Sequence, residues 1–200
     1  MMLKKLLMVI LGSFIMGIGI SLTIAVNLGS DPMTMFWIGV SKMLHISVGQ
    51  ANLLVCAILL VYVFFADRKH IHVGSILNPI VIALVTDNMI FLNFQDYSYS
   101  IRIIIMIIGL IILAFGIAFY ALADYGKGAY EAVVFTLSEK RNLSIGVVRT
   151  SADILLAILG VLLGATFAIG SLLAIIFMGT SIQLCIKFLQ SLSNKQKVKV

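Results

Sequence analysis

Three long runs of uncharged, mostly apolar residues constrain this chain more than any other feature. Residues 6–30, 103–123 and 154–186 contain no Asp, Glu, Lys or Arg. A helix needs about 20 predominantly apolar residues to cross the hydrocarbon core of a bilayer. Over the whole chain, 62% of residues are hydrophobic and 11% are charged, whereas soluble domains carry about a quarter charged residues. The sequence therefore predicts an all-α integral membrane protein.

The apolar segments predict six transmembrane helices. The last run has 33 residues and is too long for one crossing, so we expect it to turn back at 164–170. The first segment is longer than the roughly 7 to 15 apolar residues of a signal peptide, so we expect a retained helix. The alternating pattern of an outer-membrane barrel is absent. The predicted spans are about 5–28, 46–66, 74–94, 101–123, 146–165 and 169–189.

The net charge of +6 does not indicate a nucleic-acid partner, because the basic residues lie at the ends of apolar runs and not on a basic domain face. Positive residues accumulate in cytoplasmic loops. With six spans and a cytoplasmic amino terminus, only Lys42 and Arg102 fall on the far side. We therefore expect a multi-pass protein of the bacterial cytoplasmic membrane, with both termini and a basic tail at 191–200 in the cytoplasm.

A shift of 97 places aligns the two halves of the chain. The coinciding segments are Asn-x-Gly at 27–29 with Asp-x-Gly at 124–126, Ser-x-Gly at 47–49 with Ser-x-Gly at 144–146, and, after a one-residue slip, HVGSIL at 72–77 with AIGSLL at 168–173. The agreement of glycine and polar positions predicts an internal repeat, with halves at about 5–95 and 101–190 of one membrane domain, 1–200. Chance similarity between apolar helices is the alternative.

If each half crosses the membrane three times, the second half enters from the opposite side, and the repeat is inverted. The loop charges agree with this orientation. The loop DRKH at 67–70 is basic and its counterpart at 164–170 is neutral, as expected for equivalent loops on opposite sides of the membrane.

Each half contains a polar break followed by a short helix. Gly29 and Pro32 mark the first break, Gly126 and Gly128 the second, and the short helices are predicted at 32–44 and 129–140. A helix of 13 residues is about 20 Å long, against a hydrocarbon core of about 30 Å. We expect half-helices that re-enter the membrane or lie at its interface. Such pairs point to a transporter site, and connectors that only pack the bundle are the alternative.

Several polar residues in the apolar segments are candidate substrate or ion ligands, each with a structural alternative. Arg149 and Asp153 share a helix face: they form either a structural ion pair or an anion contact that Asp153 holds or releases. Asp87 is either a proton carrier or a residue near the membrane surface. The residues Asn27, Asp31, Asp124 and Glu131 flank the two breaks, where they either contact a ligand or cap the helices.

No enzyme signature is present. The chain lacks the Ser-His-Asp, Walker, zinc and dinucleotide patterns. Cys56 and Cys185 are isolated within predicted spans, where a cysteine is more often a small buried apolar residue than part of a disulfide or metal pair. We expect no catalytic activity, no metal and no cofactor.

Four segments carry a family resemblance: NLGSDPMT at 27–34, HISVGQAN at 45–52, DYGKGAYEAV at 124–133 and NLSIGVVRTSADILLAILGVLLG at 142–164. With them the chain resembles the YczE/YitT group of bacterial multi-spanning membrane proteins, most closely its YczE-like branch. Thr34 replaces the acidic residue that often follows the break proline, and Ala129 replaces the second proline. The resemblance implies a membrane location and this layout, but no substrate.

Two functions fit these features. The first is a permease-like protein that moves a small anionic or carboxylate-bearing molecule through the bilayer, with Arg149 as its contact and Asp153 or Asp87 in proton coupling. The second is a non-transporting accessory or scaffold subunit of an enzyme or export system. Because 200 residues offer few helices to enclose a pathway, we expect a homodimer.

Overall fold

The computed structural model describes the backbone of residues 2–197 and the side chains of residues 2–191, and every regular element in this part of the chain is a helix. Its helices are α1 Met2–Ala25, α2 Pro32–Leu44, α3 Val48–Ala66, α4 Val73–Asn88, α5 Tyr99–Ala121, α6 Ala129–Arg141, α7 Ile145–Leu162 and α8 Ile169–Lys197, with one 3-10 turn at Arg68–His70. The predicted all-α class is confirmed. Helix α8 continues through the predicted tail at 191–200 as far as Lys197, and residues 198–200 lie outside the described residues.

Five helices, α1, α3, α5, α7 and α8, are long and apolar enough to cross a membrane. This confirms the predicted membrane class. The third predicted span, 74–94, is instead the 16-residue helix α4, which is about 24 Å long. It ends at Asn88 because polar side chains turn to nearby partners there: Asp87 accepts hydrogen bonds from Ser47 and Gly49, and Asn88 donates to the Leu84 carbonyl oxygen.

Helices α1 and α5 pack along each other in antiparallel directions through glycines. A Cβ atom added to Gly12 would lie 2.8 Å from the backbone nitrogen of Tyr120, and one added to Gly19 would lie 2.6 Å from that of Leu113. Gly116 meets α1 in the same way. Only a residue without a Cβ lets two helix backbones approach so closely. This contact forms the centre of the bundle.

The two polar breaks are built alike. The Gly170 nitrogen donates to the Leu28 carbonyl oxygen at 2.8 Å, and the Gly74 nitrogen donates to that of Tyr125 at 3.0 Å. Each break begins with a residue in the left-handed region, Asn27 with a φ of 48° and Asp124 with a φ of 46°. Non-helical backbone at membrane depth must find its hydrogen bonds within the protein. Here the start of α8 serves the first break, and the start of α4 serves the second.

The short helices cross over between the halves of the chain. Helix α2 packs against α7, and α6 packs against α3. Helix α4 lies against α1 and α3, and α8 lies against α5. Helices α7 and α8, although consecutive, pack mainly on other elements and barely contact each other.

Basic side chains close the two ends of the bundle. At one end, the Lys5 ammonium donates to the Asp124 carbonyl oxygen at 2.9 Å. The backbone amide of Lys127 donates to the His70 carbonyl oxygen at the same end, at 3.1 Å. At the other end, the Arg102 guanidinium donates to the Val26 carbonyl oxygen at 2.9 and 2.7 Å. Cations near the last carbonyls of a helix stabilise it. Arg102 therefore stabilises the end of α1, and Lys5 stabilises the start of the second break, just after α5.

We predict that Gly19→Ala lowers the free energy of unfolding by about 2 kcal/mol, because the added methyl group overpacks the α1–α5 contact. The measurement is denaturant unfolding of the purified protein in detergent. Gly179→Ala is the matched control, since a Cβ on this helical glycine meets nothing within 4 Å, and we expect it to be neutral or slightly stabilising. Equal losses in both variants would contradict the close approach of α1 and α5.

We also predict that Gly29→Ala destabilises the protein more than Gly164→Ala does. Both glycines have positive φ, 86° and 94°, so both variants carry a similar backbone strain. Only at Gly29 would the Cβ collide with another residue, the Ser171 hydroxyl. Thermal unfolding measured on both variants isolates the contribution of the contact between the first break and α8. Equal melting temperatures would show that this contact is loose.

Candidate functional site

A cavity of about 230 Å³ lies at the centre of the bundle. All eight helices contribute to its lining. The first turns of the two short helices meet there, through the segments 31–34 and 129–131. Its apolar lining includes Ile20, Trp37, Ile82, Leu113 and Met178.

Four of the predicted ligand residues line this cavity: Asp31, Glu131, Arg149 and Asp153. Pro32, predicted as a break residue, lines it too. These residues are up to 122 positions apart in the chain. The folding of α2, α6 and α7 around one space brings them together.

The other predicted residues lie elsewhere. Asn27 accepts a hydrogen bond from the Thr166 hydroxyl at 3.2 Å, beyond one end of the cavity. The Asp124 side chain is 96% exposed and lies 3.5 Å from the Lys5 ammonium. Asp87 accepts hydrogen bonds from Ser47 and Gly49 at the start of α3, at 2.6 and 2.8 Å. In this structure, these three residues serve structural contacts.

Gly29, Gly126 and Gly128 form the breaks and do not line the cavity. Gly29 and Gly126 have positive φ, and each lies against a serine hydroxyl of the other half, Ser171 and Ser75 respectively. A side chain at either position would meet that hydroxyl. Gly128 precedes α6, and a Cβ there would collide with the Glu131 carboxylate. These glycines therefore set the position of the short helices.

Three buried polar atoms on the α2 side of the cavity have no hydrogen-bond partner: Asp31 Oδ1, Thr34 Oγ1 and Trp37 Nε1. The residues are three positions apart, so they follow one face of the helix. Asp31 also caps α2, since its Oδ2 accepts from the Thr34 nitrogen at 3.2 Å. Leaving a buried polar group without a partner costs about 1–3 kcal/mol. This face is therefore suited to receive a polar ligand.

The α6 and α7 side of the cavity carries a connected polar group. The Tyr130 hydroxyl donates to Asp153 Oδ1 at 2.5 Å. Arg149 Nε lies 3.9 Å from Asp153 Oδ2, and its guanidinium is 5.6 Å from the centre of the Tyr130 ring. The predicted pairing of Arg149 with Asp153 is thus present. Glu131 makes no hydrogen bond or ion pair with any residue whose side chain the structure describes.

Sequence reasoning missed several of the lining residues. Thr34 and Trp37 follow Asp31 at helical spacing, and Tyr130 directly precedes Glu131, so a search for polar neighbours of the break acids would have found them. Asn52 and Asn78 gave no such signal. Asn52 donates to the Pro79 carbonyl oxygen at 3.0 Å, and Asn78 donates to the Ser13 hydroxyl at 2.9 Å. These amides join α3, α4 and α1 beside the cavity.

A second polar cluster lies at the end of the bundle that Lys5 closes. Its members Asp67, His70 and Glu139 have ligand atoms close enough to suggest a metal site. However, the Lys69 ammonium contacts both Asp67 and Glu139. Its hydrogen bond holds the pKa of the Glu139 carboxyl below its usual range, and the Lys69 amide does the same for the pKa of Asp67. The ammonium already supplies the positive charge there, so the cluster ties the α3–α4 loop to α6.

Comparison with known proteins places the chain among bacterial membrane proteins without an assigned function. Residues 3–187 match a family described as a family of unknown function, DUF6198. The chain is 30% identical over 181 residues to an uncharacterized protein of Haemophilus influenzae, covering 90% of this chain and 82% of that one. No solved structure matches it.

Two Bacillus subtilis proteins are also similar. The uncharacterized membrane protein YczE is 24% identical over 169 residues, covering 84% of this chain and 79% of its own. The uncharacterized protein YyaS is 26% identical over 180 residues, covering 82% of this chain and 84% of its own. The predicted resemblance is confirmed, and this chain belongs to the DUF6198 family as a YczE-like membrane protein.

Proposed function

We propose that this protein is a permease-like carrier of a small molecule in the bacterial cytoplasmic membrane. The observation that carries the proposal is the central cavity with three buried, unpartnered polar atoms on its α2 face, Asp31 Oδ1, Thr34 Oγ1 and Trp37 Nε1. Such groups destabilise a membrane protein when the cavity beside them is empty. A bound ligand that pairs with Asp31 and Thr34 offsets part of this cost.

The proposed architecture is two inverted halves of three crossings each, with α4 as the sixth crossing. Helix α4 is about 24 Å long, and a short helix is accommodated by local thinning of the bilayer at a modest cost. The antiparallel packing of α1 and α5, the matched breaks and the crossed packing of α2 on α7 and α6 on α3 support this arrangement.

This arrangement suggests how the carrier would work. Each short helix belongs to one half of the chain but packs on a long helix of the other half. A rocking movement of one half against the other therefore moves α2 and α6 relative to each other, while both keep their first turns at the cavity. Alternating access in transporters with inverted repeats follows this principle. We propose a binding and carrying role without a chemical step.

The cavity lining comes from one chain. The predicted homodimer is therefore not needed to complete the site, and it stays a prediction. The alternative raised from the sequence is a non-transporting accessory role. Failure of the carrier tests would favour it.

We predict that Thr34→Val stabilises the protein by about 1 kcal/mol, because it removes an unpartnered hydroxyl, and lowers its transport activity. Thr136→Val is the matched control. Thr136 is also fully buried with an unpartnered hydroxyl, but it does not line the cavity. The control should be stabilised equally, with transport unchanged.

The assay is uptake into proteoliposomes of three radiolabelled solutes that share one aromatic body: phenethylamine, phenethyl alcohol and phenylacetate. The carrier role is supported if at least one solute is taken up above the level of empty liposomes. Uptake should also be lower in Thr34→Val and unchanged in Thr136→Val. Uptake of none of the three overturns it and favours the accessory role.

The proposed orientation predicts the labelling of single cysteines placed in exposed loops of a variant without Cys56 and Cys185. A membrane-impermeant thiol reagent should label cysteines at Tyr97 and Phe167 in intact cells, because both lie at the end of the bundle that Arg102 closes. A cysteine at Arg68 should be labelled only after the cells are permeabilised. Labelling at Arg68 in intact cells would show that the chain is oriented the other way.

A further inference from the structure

The charges around the cavity do not balance. Its lining includes three carboxylates, Asp31, Glu131 and Asp153, and one guanidinium, Arg149. Asp153 is already matched by Arg149 and Tyr130. Asp31 and Glu131 have no cationic partner among the described residues. The amino ends of α2 and α6 each add roughly half a positive charge, which leaves the site with about one negative charge when all acids are ionised.

Two of the carboxylates are available to a ligand. Asp31 Oδ1 is buried and accepts no hydrogen bond, and the Glu131 carboxylate makes no hydrogen bond with the residues whose side chains are described. Arg149 has a neighbouring carboxylate and an aromatic ring to interact with. The site therefore holds two acceptors and no comparable free cation. An ammonium group matches it, and a carboxylate ligand would be repelled.

The rest of the lining is apolar. Ile20, Trp37, Ile82 and Leu113 are all buried, and they surround the charged groups. In apolar surroundings the attraction between opposite charges is much stronger than in water. The same walls favour a ligand whose body is apolar or aromatic. A fully hydrated inorganic ion gains nothing from them.

The cavity is open on the side between α7 and α8. Gly146 on α7 and Gly179 on α8 both line it, and a Cβ added to either meets nothing within 4 Å. The repeat counterpart of Gly146 is Gly49, where a Cβ would lie 2.6 Å from the Ala83 carbonyl oxygen of α4. The α3–α4 side is thus closed, while the equivalent α7–α8 side is open. Since both helices are apolar spans, we infer that this opening faces lipid.

We propose that the ligand is a monovalent organic cation with an apolar body, which enters the cavity from the bilayer through the gap between α7 and α8. This inference rests on the proposed carrier function and specifies its substrate class and route. Asp31 and Glu131 hold the ammonium group, Thr34 and Trp37 lie beside it, and the apolar walls hold the body. It replaces the anionic ligand that Arg149 suggested in the sequence.

The first test is binding of the three solutes to the protein in lipid nanodiscs, measured by calorimetry. At neutral pH phenethylamine is a cation, phenylacetate is an anion and phenethyl alcohol is neutral. We expect phenethylamine to bind at least tenfold more tightly than the other two. Glu131→Gln should weaken its binding about tenfold, since it removes a charge-assisted contact. Asp96→Asn, which removes an exposed loop carboxylate, is the matched control and should have no effect.

Arg149→Gln separates the two ligand classes. For a cation, removal of the guanidinium leaves binding unchanged or makes it tighter. For an anion, it abolishes binding. Tighter binding of phenylacetate, or loss of phenethylamine binding in Arg149→Gln with the protein still folded, overturns the inference. Uptake of phenylacetate or phenethyl alcohol without uptake of phenethylamine overturns the cationic ligand but leaves the carrier function in place. Uptake of none of the three overturns both.

The route is tested with Gly179→Leu. Because the space beside Gly179 is empty, the leucine should fill the gap without destabilising the protein. We expect phenethylamine uptake to slow by tenfold or more, and we expect the rate to stay unchanged in Thr180→Leu, which adds a leucine at an exposed position of α8 that does not line the cavity. An unchanged uptake rate in Gly179→Leu, confirmed as folded by its melting temperature, overturns entry between α7 and α8.

Discussion

The fold depends on one constraint: backbone that leaves a helix inside a bilayer must be satisfied by the protein itself. The chain does this twice, each time with the start of a helix from the other half. The Gly170 amide donates to the first break and the Gly74 amide to the second. Glycine at 29 and 126 lets the breaks lie directly against Ser171 and Ser75. Because each half thus completes the other, neither half is expected to fold alone.

The same breaks allow two short helices to begin inside the bundle. A helix that crossed the whole membrane would place its amino end at the surface, in water. Here the amino ends of α2 and α6 meet at a common cavity, where Asp31, which caps α2, and Glu131, in the first turn of α6, lie among apolar side chains. Polar groups in such a place are expensive. Function is the simplest reason for a membrane protein to keep Asp31, Glu131 and the unpartnered Thr34 and Trp37 together.

The corresponding helix pairs of the two halves, α3 with α4 and α7 with α8, pack differently. In the first half, α3 and α4 pack closely, and Asp87 ties the start of α3 to the end of α4. In the second half, α7 and α8 separate, since α7 follows α2 and α8 follows α5. At this position the first half of the chain is closed and the second half is open. The ion pair Arg149–Asp153 lies on the open side, where α7 meets the cavity.

The sequence by itself determined the helical membrane class, the positions of the two breaks, the short helices and the family. These are local properties: apolar length, the conformational freedom of glycine and the helix cap can be read over a few residues. The sequence also predicted that Arg149 would face Asp153, since a spacing of four residues places both on one helix face.

Only the tertiary structure decided which polar residues share a site. Asn27 and Asp124 looked as suitable as Asp31 and Glu131, because a polar residue beside a break can cap a helix or bind a ligand, and Asp87 looked suitable as a proton carrier within a predicted span. Lys5 and Arg102, from the opposite half in each case, lie against the second and first breaks, while Asp87 turns to α3. The sequence also did not reveal the sign of the net charge in the cavity. It depends on which acids already have partners, and those partners lie far away in the chain.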